Sequence, residues 1–150
     1  MTEDDIIATL SELDLFAGFS PAQLRLLAFV SEERALASGE RLYQAGDRPD
    51  GAYVLTAGAL EVDYPDAAPS SRYGIAPTAL VGEMGLMLTR PRPATVTSSG
   101  DSHVIFVPRE PFLKLLRGDP NLAASVSGII RAELVRYLDQ VTQLKPRLTH

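Results

Sequence analysis

The chain has 150 residues, 45% of them hydrophobic and 22% charged, a globular composition long enough to bury one core as a single domain over 1–150. Its net charge of −5 argues against a nucleic-acid binder, which carries a basic footprint, and the lack of any cysteine excludes disulfides, thiolate nucleophiles and cysteine metal sites. No apolar run approaches the ~20 residues that span a bilayer, and the acidic start MTEDDIIATL lacks the basic region of a secretory signal, so the expectation is a soluble cytoplasmic protein without membrane insertion.

Residues 1–30 read as helices. Thr2, with Asp5 three residues on, forms an N-cap with an acidic first turn, and Ile6, Ile7, Leu10 and Leu13 follow at helical spacing. A second helix starts at Ser20, with Pro21 in its first turn and Gln23 completing a capping box. Leu24, Leu26, Leu27 and Val30 are its predicted apolar face.

From residue 31 to 107 the pattern changes to short β-rich runs punctuated by turn residues. The runs are Arg41–Tyr43, Ala52–Thr56, Leu60–Tyr64, Tyr73–Ile75, Thr95–Ser98 and Val104–Val107. Short strands so spaced predict an all-β sandwich or barrel. Gly58, between two of them, is a turn residue suited to positive φ, and Asp66–Arg72 is predicted as an exposed hairpin loop.

Residues 108–145 return to helical spacing. Phe112, Leu113, Leu115 and Leu116 form a short helix ending near Gly118, and Asp119-Pro120 then caps a long one. Along it Ile130, Leu134, Tyr137, Val141 and Leu144 make a seam over two heptads. That seam either covers the β domain or pairs with a second copy as a coiled coil. Pro146 is expected to stop the helix.

The chemistry concentrates in residues 82–96, GEMGLMLTRPRPATV. A carboxylate at Glu83, a guanidinium at Arg92 and a short apolar segment able to form a helical turn lie within fifteen residues. The carboxylate accepts from hydroxyls, the guanidinium forks onto phosphate oxygens, and free N–H groups at a helix start add donors. That set suits a ligand that is both sugar and phosphate. For a Glu and an Arg taken alone, mutual pairing or pairing with solvent is the other reading.

The order of helices, β-roll, short helix and long helix, with this motif before the last strands, resembles the cyclic nucleotide-binding domains of catabolite activator proteins, kinase regulatory subunits and gated ion channels. The resemblance runs from LFAGFSPAQLRLLA through GERLYQAGDRPDGAYVLTAGALEV, with glycines at Gly39, Gly46 and Gly58, to the last helix. It implies a mainly β fold: an antiparallel β-roll or jelly roll with N-terminal helices, a short cassette helix and a two-helix C-terminal lid. It also implies roles. Glu83 would accept from the ribose 2′-hydroxyl and Arg92 would pair with the cyclic phosphate. Gly82 would let the backbone approach the sugar. Met84, Gly85 and Leu86 would bring N–H groups to the phosphate, and Pro93, Ala94 and Thr95 would complete the cassette. Tyr137 and Leu138 fall where relatives contact the base, while Tyr73 and Ile75 either wall the base pocket or belong to the core.

Three departures stand out. Pro93 follows the arginine where many members have Ala, Ser or Thr, so one backbone donor to the phosphate is missing. Members that prefer cGMP place a Thr hydroxyl there, so cAMP is the predicted ligand, with cGMP second. Thr78 stands where many members have a turn glycine. These 150 residues also carry no helix-turn-helix after the last helix, which predicts no DNA partner. The expected protein is therefore a cyclic-nucleotide sensor, not an enzyme, that signals through its C-terminal helix as a homodimer. The alternative is a degenerate, ligand-free β-roll acting as a dimerisation or interaction module. A metal-bearing jelly-roll enzyme is disfavoured, because only His103 and His150 are available as imidazole ligands and no GxSxG elbow is present.

Overall fold

The computed structural model describes residues 1–65 and 72–148, and beyond Val135 it describes the backbone of the last helix alone. Helices α1 (Glu3–Ser11) and α2 (Pro21–Val30) open the chain, with a 3-10 turn at Asp14–Phe16 between them. Both begin at the predicted capping boxes, Thr2 with Asp5 and Ser20 with Gln23.

The strands are β1 (Glu32–Leu36), β2 (Arg41–Tyr43), β3 (Gly51–Ala57), β4 (Leu60–Asp63), β5 (Tyr73–Ile75), β6 (Ala79–Val81), β7 (Thr95–Ser98) and β8 (Ser102–Pro108). They form two antiparallel sheets, ordered β1-β8-β3-β6 and β2-β7-β4-β5, which face each other as the expected β-roll. All six predicted runs are strands. The two that spacing did not single out, β1 and β6, are the two edges of one sheet. Edge position explains the silence: β1 reads EERAL, with four of its five residues exposed. Strands β4 and β5 pair as a hairpin, Val62 opposite Tyr73, while residues 66–71 of the predicted loop lie outside the described residues.

Strands β3 and β8 lie side by side and are buried on both faces, so each reads as a nearly unbroken apolar run. Ala52, Val54, Ile105 and Val107 face the helices and meet Leu10, Phe16, Leu27, Phe112 and Val126. Tyr53, Leu55, Val104 and Phe106 point into the roll, where Leu60, Val62, Val81 and Val96 pack against them. The period of two thus divides the same strands between two cores.

Helix α3 (Arg109–Arg117) ends at Gly118, as expected. Asp119 Oδ1 then accepts from the N–H groups of Asn121 and Leu122 at 3.1 Å each, capping α4 (Pro120–Leu148). The boundary predicted at Pro146 is corrected: α4 continues to Leu148. Proline already has helical φ, so Pro146 fits the last turn at the cost of one N–H hydrogen bond, and the helix runs only two residues past it. On α4, Ile130 is buried in the helix-side core and Leu134 is half-buried, whereas the seam side chains of Tyr137, Val141 and Leu144 lie outside the described residues.

A second correction concerns α2. Leu24 and Leu27 are buried, but Leu26 is 60% and Val30 37% exposed, beside Phe29 at 78%. They line a groove of about 740 Å³ between α2 and α3, together with Leu115 and Lys114. Core contact takes a stripe one hundred degrees or so wide, and Leu26 falls outside it.

Candidate functional site

The segment between β6 and β7 carries the predicted clamp. Gly82 adopts left-handed backbone geometry, φ 71°, and starts a 3-10 helix over Glu83–Leu86. Glycine suits that backbone, and a Cβ on Gly82 would also strike the Arg92 guanidinium and come within 3.2 Å of Tyr43 Oη, so a larger residue would have to displace both side chains. The N–H of Gly85 donates to Gly82 O at 2.9 Å. A Cβ on Gly85 would strike the carbonyl of Gly51 and stand 2.8 Å from Arg92 Nη1. Leu86 is fully buried in the helix-side core and half-buried Met84 packs against that core, so the apolar residues anchor the turn. Glu83 is half-buried on the same turn and is engaged in an interaction of its own.

Arg92 closes this segment from below. Its backbone is held at both ends: the N–H donates to Asp47 O at 2.8 Å and its carbonyl accepts from Gly46 N at 2.8 Å. Its side chain is 6% exposed. Nη1 donates to Gly82 O at 3.1 Å and Nη2 to Gly51 O at 2.8 Å, so one guanidinium ties the β2–β3 turn to the start of the cassette helix. Burial lowers its pKa from the usual value, while the Tyr43 and Tyr53 rings and the Asp50 carboxylate support the charge. An arginine keeps its proton throughout.

The guanidinium carbon lies 4.2 Å from the centre of the Tyr43 ring and 6.0 Å from that of Tyr53. Burial pushes the Tyr43 phenol up to about 12, with the nearby Arg92 charge pulling the other way, so it is neutral at ordinary pH. Tyr53 is itself fixed from the far side, where Arg34 Nη1 donates to its hydroxyl at 3.4 Å.

A second guanidinium reaches the same segment from α3. Arg109 Nη1 donates to Pro49 O at 2.7 Å, Gly85 O at 3.1 Å and Leu88 O at 3.4 Å. Together Arg92 and Arg109 bridge residues 49–51 to the cassette by two parallel links, one from the cassette itself and one from the first residue of α3.

The structure therefore brings Gly82, Glu83, Met84, Gly85, Leu86 and Arg92 to one place. Pro93 follows on the exposed side, Ala94 is buried in the roll, and Thr95 Oγ1 accepts from Ala45 N at 3.0 Å, holding the β2 turn. Ile75 packs on the roll core, whereas Tyr73 is 48% exposed and stacks with Tyr64 at 6.4 Å. Tyr137 and Leu138 lie on α4, and their side chains fall outside the described residues. Sequence reasoning missed Tyr43, Gly51 and Arg109. Tyr43 sits in a three-residue strand and reads as core, and Arg109 follows a proline at a strand end. Only the contacts across the fold single them out.

Among the described residues, no group of three or more His, Cys, Asp or Glu is placed to hold a metal ion, and no helix is long and apolar enough to cross a membrane.

A family model described as the cyclic nucleotide-binding domain matches residues 33–119. The solved structure of a cyclic nucleotide-binding-like protein from Brucella abortus is 32% identical, covers 76% of this chain and 99% of its own, and superposes with a TM-score of 0.65. A cAMP-bound fragment of PfPKA-R is 18% identical and shares the fold, covering 95% of this chain and 47% of its own with a TM-score of 0.77. Lysophospholipase nte1 of Neurospora crassa is 23% identical over 126 residues, 83% of this chain, and this chain spans 8% of that relative's length.

Proposed function

The chain belongs to the cyclic nucleotide-binding domain family, and from that premise we propose that it is a sensor module that binds a cyclic mononucleotide, cAMP in preference to cGMP, at residues 82–96. The observation that carries the proposal is Arg92. A cation this buried is costly unless it is paired, yet the bonds it makes go to two neutral carbonyls, Gly82 O and Gly51 O. A phosphate offers it the charge partner and the bidentate geometry that a carbonyl lacks.

On this reading Glu83 takes the ribose hydroxyl and Arg92 the phosphate. Binding draws Arg92 off its carbonyls. Its link to Gly82 then loosens, while the Arg109 link carries cassette movement to α3 and on to α4. Ligand shifts this equilibrium only by its differential affinity for the two arrangements. The output passes through α4, as a homodimer seam. Pro93 weakens the site: one missing charge-assisted donor costs roughly 1.5–3 kcal/mol, or about ten- to a hundredfold in affinity.

Calorimetry with cAMP and cGMP tests the proposal. The parent should bind cAMP more tightly than cGMP, and Arg92→Ala should lose both while keeping its circular dichroism spectrum. No heat from either nucleotide at millimolar concentration, with the protein folded, would overturn it in favour of a ligand-free interaction module. Pro93 and the prior use of the Gly85 N–H favour that second reading.

A further inference from the structure

The cyclic-nucleotide reading assigns phosphate recognition to Arg92 but does not say what aims the guanidinium. We infer that Tyr43 is the positioning residue: its ring lies over the Arg92 guanidinium and holds it at the cassette, so that the donors now on Gly82 O and Gly51 O can turn to an anionic ligand without the side chain leaving the ring.

Three observations on separate elements support this. First, the ring centre is 4.2 Å from Arg92 Cζ, a face-on distance for a cation over an aromatic ring. Second, Gly82 has the room the arrangement needs. A Cβ there would collide with Arg92 and crowd Tyr43 Oη, so the glycine at the cassette start accommodates both side chains. Third, the ring cannot easily swing away. Tyr43 packs on Tyr53 at 6.1 Å, and Tyr53 is buried against Phe106 at 5.2 Å and the Arg34 guanidinium at 5.7 Å.

A guanidinium has five N–H donors, all in its plane. An arginine free to turn presents them in many directions, and ordering it on binding loses entropy. A ring fixed on one face restricts that motion before the ligand arrives. The interaction needs the aromatic face and not the phenol proton, so phenylalanine preserves it and an aliphatic side chain does not. The inference rests on the cyclic-nucleotide reading for its ligand but not for its geometry, and the two are tested apart.

The first measurement uses ¹⁵N-labelled, ligand-free protein and follows the side-chain Nε–Hε resonance of Arg92. Ring-current shielding should be present in the parent and in Tyr43→Phe and absent in Tyr43→Leu. The second is calorimetry with cAMP. Tyr43→Phe should bind within about threefold of the parent, whereas Tyr43→Leu should bind about tenfold more weakly or worse. Tyr43→Met replaces Tyr43→Leu if the latter does not fold. An unchanged resonance in the aliphatic variant overturns the inference. So does parent-like affinity in that variant, or a Tyr43→Phe as weak as Tyr43→Leu, which would assign the effect to the hydroxyl. If the parent binds neither cAMP nor cGMP, the functional reading falls, and the resonance alone still decides whether Tyr43 holds Arg92.

Discussion

Gly85 and Arg92 define each other. The glycine carries no side chain because the Gly51 carbonyl and the Arg92 fork occupy the space a Cβ would take. Gly85→Ala must therefore push the cassette away from residues 49–51. Overpacking of this kind costs about 1–3 kcal/mol, and because the displaced groups are Arg92's own partners, ligand affinity should fall with stability. Urea unfolding and calorimetry on the same preparation check both effects. Gly100→Ala is the control: open space surrounds that position and its φ is not positive, so neither quantity should move. A variant at Gly85 with parent-like stability would show that the cassette adapts freely and that Arg92 is not locked in place.

Side chains cap the starts of α1, α2 and α4, and the α3–α4 junction shows how one cap joins two elements. Asp119 caps α4 through the N–H groups of Asn121 and Leu122, and its other oxygen accepts from Gln23 Nε2 at 3.1 Å. Gln23 at the same time closes the capping box of α2. The Leu122 N–H first, and then Gln23, hold the Asp119 carboxyl below the usual carboxylate range. A lowered folded-state pKa means that this stabilisation is fully present above the unfolded value of 3.8 and is lost as pH falls through the lower folded value. Asp119→Asn keeps a cap oxygen but has no proton to gain. In thermal melts across pH 2–5 the parent should lose stability more steeply than Asp119→Asn. Parallel curves would remove Asp119 from the acid response.

Across the molecule, the two cores share strands β3 and β8, so the helical layer and the roll interior are not independent. Leu86 extends this coupling to the cassette, since it packs among the helices while Arg92 sits against the tyrosines of the roll. A ligand held as proposed at residues 82–96 would lie beside both anchors. At 100 times its dissociation constant it should add about 2.7 kcal/mol to the folded state, read as a rise in melting temperature. The assembly proposal belongs here as well. Sedimentation equilibrium should find a dimer that Leu134→Asp, on the α4 seam, converts to monomer, while Lys114→Asp on α3 does not. A monomeric parent would leave the seam as a packing face only.

Much of this was legible in local residue order, for physical reasons. Capping boxes act over three residues, β-turn glycines over one, and alternation on β3 and β8 over two, so each is complete within a few positions of the chain. The eleven-residue window from Gly82 to Arg92 is likewise local, which is why the residues of the clamp stood out before any fold was known. What residue order did not carry was which side of the fold meets which. Leu26 and Val30 looked like core and line an open groove. Strands β1 and β6 passed unnoticed because edges bury little. The partners of Arg92 come from position 51 and position 43, more than forty residues away, and Arg109 arrives from a different layer. Glu83 and Arg92 could be singled out from chemistry and spacing, with the family resemblance giving each its expected role. That Arg92 lies buried beneath Tyr43, bonded to the carbonyls of Gly51 and Gly82, was decided only when the roll closed, because burial and ring stacking are properties of surfaces brought together by the fold.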